Sequence, residues 1–182
     1  MLRLLVMWQG GIEMKKFIRL LLSLFLVFSL TGCQNSQQET DIQEYTIQAL
    51  DELKHTDYFL ESAITHIFLG EINKKGQATG YHYDPIKDSP GTIVEGTKSK
   101  ENNDGVYQAQ IEVNHVLKSG NKGYSTFYPD RYSPQEVVDM INEAYQNRQK
   151  VRGNTYRGSS GHIVIEMYLT KHSKIITAYP LL

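Results

Sequence analysis

His162-Ile163-Val164-Ile165-Glu166-Met167-Tyr168-Leu169 and, after a short polar turn, Lys174-Ile175-Ile176-Thr177-Ala178-Tyr179 are two runs rich in β-branched and aromatic residues. Their length and the turn between them predict an antiparallel hairpin. Before it, Lys150 to Gly161 is basic and glycine-containing and reads as a loop carrying Arg152 and Arg157. Earlier still, Ser133-Pro134-Gln135-Glu136 has the chemistry of a helix start: a capping serine, proline in the first turn and glutamate three residues on. Val137, Ile141, Ala144, Tyr145 and Arg148 mark one face of the helix that follows. Val106 to Val113 alternates apolar and polar side chains, as a strand with one buried face does. The residues from Pro85 to Asp104, with Pro90, Gly91 and Gly96, read as a mobile loop. Thr40-Asp41-Ile42-Gln43 predicts a capped helix with Ile42, Tyr45, Ala49, Leu50 and Leu53 on one face, ending near Lys54-His55. A further apolar stretch runs from Tyr58 to Ile64. Helices first, then strands with one inserted helix, make an α+β fold on an antiparallel sheet. No repeat or second domain is visible.

The N-terminal residues read as an address. Met14-Lys15-Lys16-Phe17, Arg19 and the apolar run Leu20 to Leu30 have the layout of a secretory signal, too short for a comfortable membrane span. The run stops at Leu30-Thr31-Gly32-Cys33, small residues before the chain's one cysteine. That pattern predicts lipidation of Cys33 and an anchor on the outer face of a bacterial membrane. A lone cysteine has no partner for an internal disulfide. Residues 1–13 read as an upstream extension with Met14 as the true start, 14–32 as the signal, 33–40 as a polar tether and 41–182 as the folded domain.

Removing residues 1–32 takes away four cations and one anion, leaving 15 Lys+Arg against 19 Asp+Glu, a net of −4. From Cys33 to Asn114 the chain carries 6 cations and 14 anions, and from His115 to Leu182 it carries 9 and 5. This excludes a wholesale basic nucleic-acid binder but leaves room for a local anion site in the second half.

The chemistry-bearing stretch is His66-Ile67-Phe68-Leu69-Gly70-Glu71 through Gly80-Tyr81-His82-Tyr83-Asp84-Pro85. Two histidines bracket a polar, glycine-containing connection long enough to fold back and bring the rings together. With an ordinary pKa of about 6.5, one imidazole accepts a proton while the other donates. Such a pair runs general acid–base chemistry near neutral pH. A phosphodiester of RNA cut by its own 2′-OH needs that base, that acid, and a cation for charge on the phosphorane. Lys122 is the candidate cation, with Lys118 as the alternative. Thr126, with Ser125 competing, offers a hydroxyl, and Tyr179 offers a ring and a phenol.

Four blocks carry a resemblance: His66 to Glu71, Gly80-Tyr81-His82, Lys122-Gly123-Tyr124-Ser125-Thr126-Phe127-Tyr128-Pro129-Asp130, and Ile176-Thr177-Ala178-Tyr179-Pro180. In this order they resemble the bacterial EndoU nuclease family, and the sixteen-residue interval between the histidines is similar to that of eukaryotic and viral EndoU enzymes. The resemblance implies catalytic His66, His82 and Lys122, with Thr126, Tyr179 and the adjoining Thr177 at the pyrimidine. The residues themselves leave the acid and base roles open, and the resemblance leans only weakly to His66 as acid and His82 as base, so the two are assigned as a pair. The resemblance implies metal-independent endoribonuclease action, often at uridine, giving 2′,3′-cyclic phosphate and 5′-OH ends, and a fold shared with barnase, RelE-type toxins and colicin ribonucleases. It implies no cofactor. Many bacterial members are toxin tips that cleave transfer RNA and are restrained by an immunity protein. This chain departs from them in reading as a small, monomeric, stand-alone lipoprotein.

Two other readings compete. His66, Glu71, His82 and Asp84 include enough donors for zinc, although no compact helical ligand motif supports that. A non-catalytic surface lipoprotein would use the same fold for binding alone.

Overall fold

The computed structural model describes residues 43–182. The signal and tether readings, Cys33 and the Thr40 cap lie outside those residues.

Two sheets and two helices form the body. Helix α1 is Glu61–Phe68, and helix α2 is Pro134–Gln146. Strands β1 (Glu71–Ile72) and β2 (Ala78–Thr79) make a short ribbon, Glu71 opposite Thr79. Strands β3 (Gly91–Ile93), β4 (Tyr107–Val113), β5 (Val116–Leu117) and β6 (Tyr124–Phe127) form one antiparallel sheet, with β4 pairing all three others. Strands β7 (Gln149–Arg152), β8 (Thr155–Ser160), β9 (Ile163–Leu169) and β10 (Ile175–Pro180) form the other, in the order β10-β9-β8-β7.

Helix α2 begins where the sequence places it. The Ser133 side chain accepts from the Glu136 N–H while the Glu136 carboxylate accepts from the Ser133 N–H at 2.7 Å, a reciprocal capping box. Its apolar face (Val137, Ile141, Ala144, Tyr145) lies on β8 and β9, against Ile163, Ile165 and Met167. Helix and sheet approach closely at Gly158, where an added Cβ would stand 1.9 Å from the Ala144 carbonyl oxygen. Helix α1 joins the same core through Ala63, Ile67 and Phe68. A second, smaller core gathers Tyr81, Tyr107, Ala109, Ile111, Val113 and Phe127. Strand β4 alternates buried and half-buried positions along its whole length, as its sequence pattern requires.

Three expectations are corrected. The helix expected from Thr40 to Lys54 is, among the described residues, one 3₁₀ turn at Ile47–Leu50. Tyr45 is instead extended in a bridge to Ile86: its N–H donates to Pro85 O at 2.8 Å and its C=O accepts from Lys87 N–H at 2.7 Å. Tyr45, Ile47, Leu50 and Leu53 still reach the core, so the apolar spacing reports burial without the helical period. The Pro85–Asp104 loop contains β3 and is tied down by the Lys98–Asp130 ion pair at 2.8 Å. The basic loop at 150–161 is mostly the β7–β8 hairpin, and all four residues of β7 are exposed. Strand β7 escapes the alternation test because a solvated edge strand carries charge in place of apolar residues, and the interior strand β8 escapes it because it has few apolar residues.

Candidate active site

His66 stands in the last turn of α1. Its Nδ1 lies 2.9 Å from a carboxylate oxygen of Glu71, the first residue of β1. The chain then turns on the Asn73 side chain, whose oxygen accepts from the N–H groups of Lys75 and Gln77. It returns along β2 to the helix end. There the Tyr81 N–H donates to the His66 carbonyl at 2.9 Å, and the His82 N–H donates to the Ile67 carbonyl at 2.7 Å. Two carbonyls that α1 leaves unpaired at its C-terminus therefore hold the second histidine. The joint needs Gly80, which has φ +77° and passes so close that a Cβ would sit 2.0 Å from the His66 carbonyl oxygen. The imidazole centroids end 6.3 Å apart.

His82 is fixed from both sides by its neighbours. Tyr81 enters the smaller core, edge-on to Phe127 at 5.4 Å, and its hydroxyl donates to Asp84 at 2.6 Å. Tyr83 enters the larger core, edge-on to Phe68 at 5.3 Å. Tyr81 is left-handed (φ 59°), a strain of about 1–2 kcal/mol for a residue with a side chain, offset by burial of its ring. The histidine between them is 6 % exposed. Its carbonyl accepts from the Tyr128 N–H, and its Nδ1 lies 2.8 Å from the Thr126 carbonyl oxygen. A carbonyl only accepts, so the proton is on Nδ1 and Nε2 carries the free lone pair. Burial first, then the charge of Lys118, holds the ring's pKa well below the ordinary value; the bond to Thr126 opposes this in part. His82 is thus neutral at neutral pH, whereas His66 sits beside a carboxylate that forms an ion pair with it when the ring is protonated.

The lysine nearest in effect is Lys118, just after β5. Its Nζ donates to Ser125 Oγ at 2.7 Å, and Ser125 Oγ donates to the Gly80 carbonyl at 2.8 Å. Burial lowers the Lys118 pKa to about 8, leaving the ammonium mostly charged near neutral pH. Lys122 occupies a left-handed turn (φ 54°) with an exposed side chain, and its backbone carbonyl accepts from the Gln110 amide. Ser125 is therefore committed to the joint between Lys118 and Gly80. Thr126 and Thr177 differ from it: each has a buried hydroxyl with no protein partner. Tyr179 stacks on His82 with centroids 5.2 Å apart and planes at 22°.

Strands β6 and β10 thus meet at the histidine, one through Thr126 and the other through Tyr179. Asp84 is engaged by Tyr81, and among the described residues no three His, Cys, Asp or Glu side chains converge as a metal-binding group. The sequence groups Glu71 with His66 only as a possible zinc donor; the carboxylate's pairing with the ring, five residues on and beyond the helix end, depends on the β1–β2 ribbon that brings it back. The ranking of Lys118 below Lys122 followed the matched block, whereas burial follows the β4–β5 hairpin.

Two imidazoles of unlike environment at the seam of two antiparallel sheets are placed to exchange protons with a bound group. The description "Bacterial EndoU nuclease" matches residues 60–182, and the chain belongs to that family. A Bacillus cereus protein named "Toxin" is 46 % identical over 134 residues, which is 73 % of this chain and 25 % of that protein. The chain thus spans about a quarter of the length of that curated relative. No solved structure matches it.

Proposed function

We propose that the protein is an endoribonuclease that cuts RNA by transphosphorylation. The observation that carries this reading is the pair of imidazoles 6.3 Å apart in opposite environments, one buried and neutral and the other beside a carboxylate. His82 Nε2 takes the proton of the 2′-OH, and that oxygen attacks phosphorus. The bond from phosphorus to the 5′ oxygen breaks, and His66 delivers the proton the leaving oxygen needs. The products are a 2′,3′-cyclic phosphate and a 5′-OH. The cation read onto Lys122 from the matched block is reassigned to Lys118, whose partly buried charge is felt at His82 and would stabilise the charge on the phosphorane. The unpartnered hydroxyls of Thr126 and Thr177 suit hydrogen bonds to a pyrimidine edge, in keeping with cleavage at uridine.

The toxin name of the relative supports a toxin-type nuclease; an immunity partner and transfer RNA as a target are what the family resemblance implies. Lipidation of Cys33 and an anchor on the outer face of the cell membrane complete the proposal. Metabolic lipid labelling that persists in Cys33→Ala would overturn the anchor.

The test of the chemistry uses the chain from Gln34 onward, a single-uridine RNA and excess EDTA, with the ends weighed by mass spectrometry. A 2′,3′-cyclic phosphate is expected. Cleavage only with added zinc or manganese would point to a metal hydrolase, and no cleavage by a folded sample would point to a binding protein.

A further inference from the structure

The sheet β7–β10 carries a row of side chains that the reaction above leaves unused. Cross-strand register aligns Arg157 with Glu166 and Glu166 with Tyr179. The three are joined: Arg157 Nε donates to Glu166 Oε2 at 2.7 Å, and the Tyr179 hydroxyl donates to Glu166 Oε1 at 2.6 Å. Glu166 is 9 % exposed, and a carboxylate in that position is costly unless its oxygens are paired. Burial pushes its carboxyl up, but the bonds from Tyr179 and Arg157, with the charge of Arg152 adding to them, hold it below the usual range. The far end of the row is the ring of Tyr179, lying on His82.

We infer that Arg157, Glu166 and Tyr179 form a positioning device for His82, in which the carboxylate grips the phenol so that its ring fixes the imidazole. The Thr126 carbonyl restrains the ring's rotation through Nδ1, and Tyr179 restrains its tilt from one face. Together they leave Nε2 one direction in which to accept a proton. A consequence is that the phenolic proton is committed to Glu166 and is not free for a nucleobase. Tyr179 therefore acts on rate through His82, and hydrogen bonding to a base falls to the Thr126 and Thr177 hydroxyls in place of the phenol. This inference rests on the reading of His82 as the general base.

The experiment compares Glu166→Ala, Glu166→Gln, Tyr179→Phe and the double variant Glu166→Ala/Tyr179→Phe in the chain from Gln34 onward. It uses RNAs with one uridine or one cytidine, with ¹⁵N NMR of the His82 ring and thermal melting alongside. Tyr179→Phe and Glu166→Ala should each lower kcat by about tenfold or more with KM nearly unchanged, the size expected for a slightly misplaced catalytic group. The double variant should be no worse than either single one, and Glu166→Gln, whose amide oxygen still accepts from the phenol, should recover part of the rate. The Nδ1–H of His82 should exchange faster in Glu166→Ala at an unchanged melting temperature. A raised KM and a shifted uridine-to-cytidine ratio with kcat intact would overturn the inference, making Tyr179 a base platform. Additive losses, or a fall in melting temperature that accounts for all of the lost activity, would also overturn it. Should the parent chain cut no RNA, the ring signal still decides: a His82 Nδ1–H loosened in Glu166→Ala supports the positioning device while the nuclease reading fails, and an unchanged one sinks both.

Discussion

The sheet β7–β10 has two seven- and six-residue strands at its centre, a single long helix across one face, and the larger core. The sheet β3–β6 has one long strand, β4, flanked by pieces of two to four residues. Its turns at Asn114–His115 and Asn121–Lys122 are left-handed, and its core is small and rich in tyrosine. The first sheet serves as scaffold: its β9–β10 hairpin is locally regular in sequence, and its β7–β8 hairpin is not. The second is built from turns that aim particular groups: Lys118 after one, and Ser125 and Thr126 after the other. His82 lies where the two meet, with Tyr83 in one core and Tyr81 in the other. The larger core lies on the first side, whereas the site draws on both: Lys118, Ser125 and Thr126 come from the β3–β6 side, and Thr177 and Tyr179 from β10.

Substitutions should respect that division, beginning with the site. His82→Ala should reduce RNA cleavage by about 10²–10⁴-fold, the range for a lost general base, while the melting transition stays cooperative. A lost transition would instead make His82 part of the scaffold. Lys118→Ala should cost about 10²–10³-fold, as for other groups that stabilise transition-state charge, whereas Lys122→Ala should stay within a few-fold of the parent. The reverse order in the same assay would restore Lys122 as the cation. On the scaffold side, Gly158→Ala forces a Cβ to within 1.9 Å of the Ala144 carbonyl and should destabilise by about 1–3 kcal/mol in urea melts. The folded fraction should keep its rate per molecule.

The smaller effects separate the regions by pH and by capping. The unfolded chain protonates the His82 imidazole near pH 6.5, and the folded chain only well below that. Between those values the unfolded state binds more protons, so stability should fall as pH drops from about 6.5 toward 5, by up to about 1.4 kcal/mol per unit. His82→Gln should remove that slope, and Gly158→Ala should leave it in place. Urea melts across that window check both. Ser133→Ala should cost about 1 kcal/mol from the loss of the cap, with no change in cleavage by the folded fraction.

What was legible in the sequence follows the same line. The β9–β10 hairpin, the alternation of β4 and the Ser133 capping box are local patterns, and the structure carries each where the residues point. The histidines, Thr126 and Tyr179 could be singled out from their chemistry and order, and the structure brings them to one place. Groups whose position depends on long-range pairing were not legible. Glu71 reaches His66 through the β1–β2 ribbon, Lys118 is half-buried just after a two-residue strand with no periodicity, and Glu166 faces Tyr179 by register alone. The apolar spacing at Tyr45 predicts a helix, and a bridge to a distant proline-flanked segment overrides it.

The central claim is the division of labour between a buried neutral base, His82, and an acid, His66. An RNA analogue whose 5′ leaving group is p-nitrophenolate tests it directly, since that group departs without being protonated. His66→Ala should lose about 10²-fold or more on ordinary RNA yet cut the activated ester at close to the parent rate, whereas His82→Ala should fail on both. If His82→Ala were the variant rescued by the activated ester, the assignment of acid and base would be contradicted.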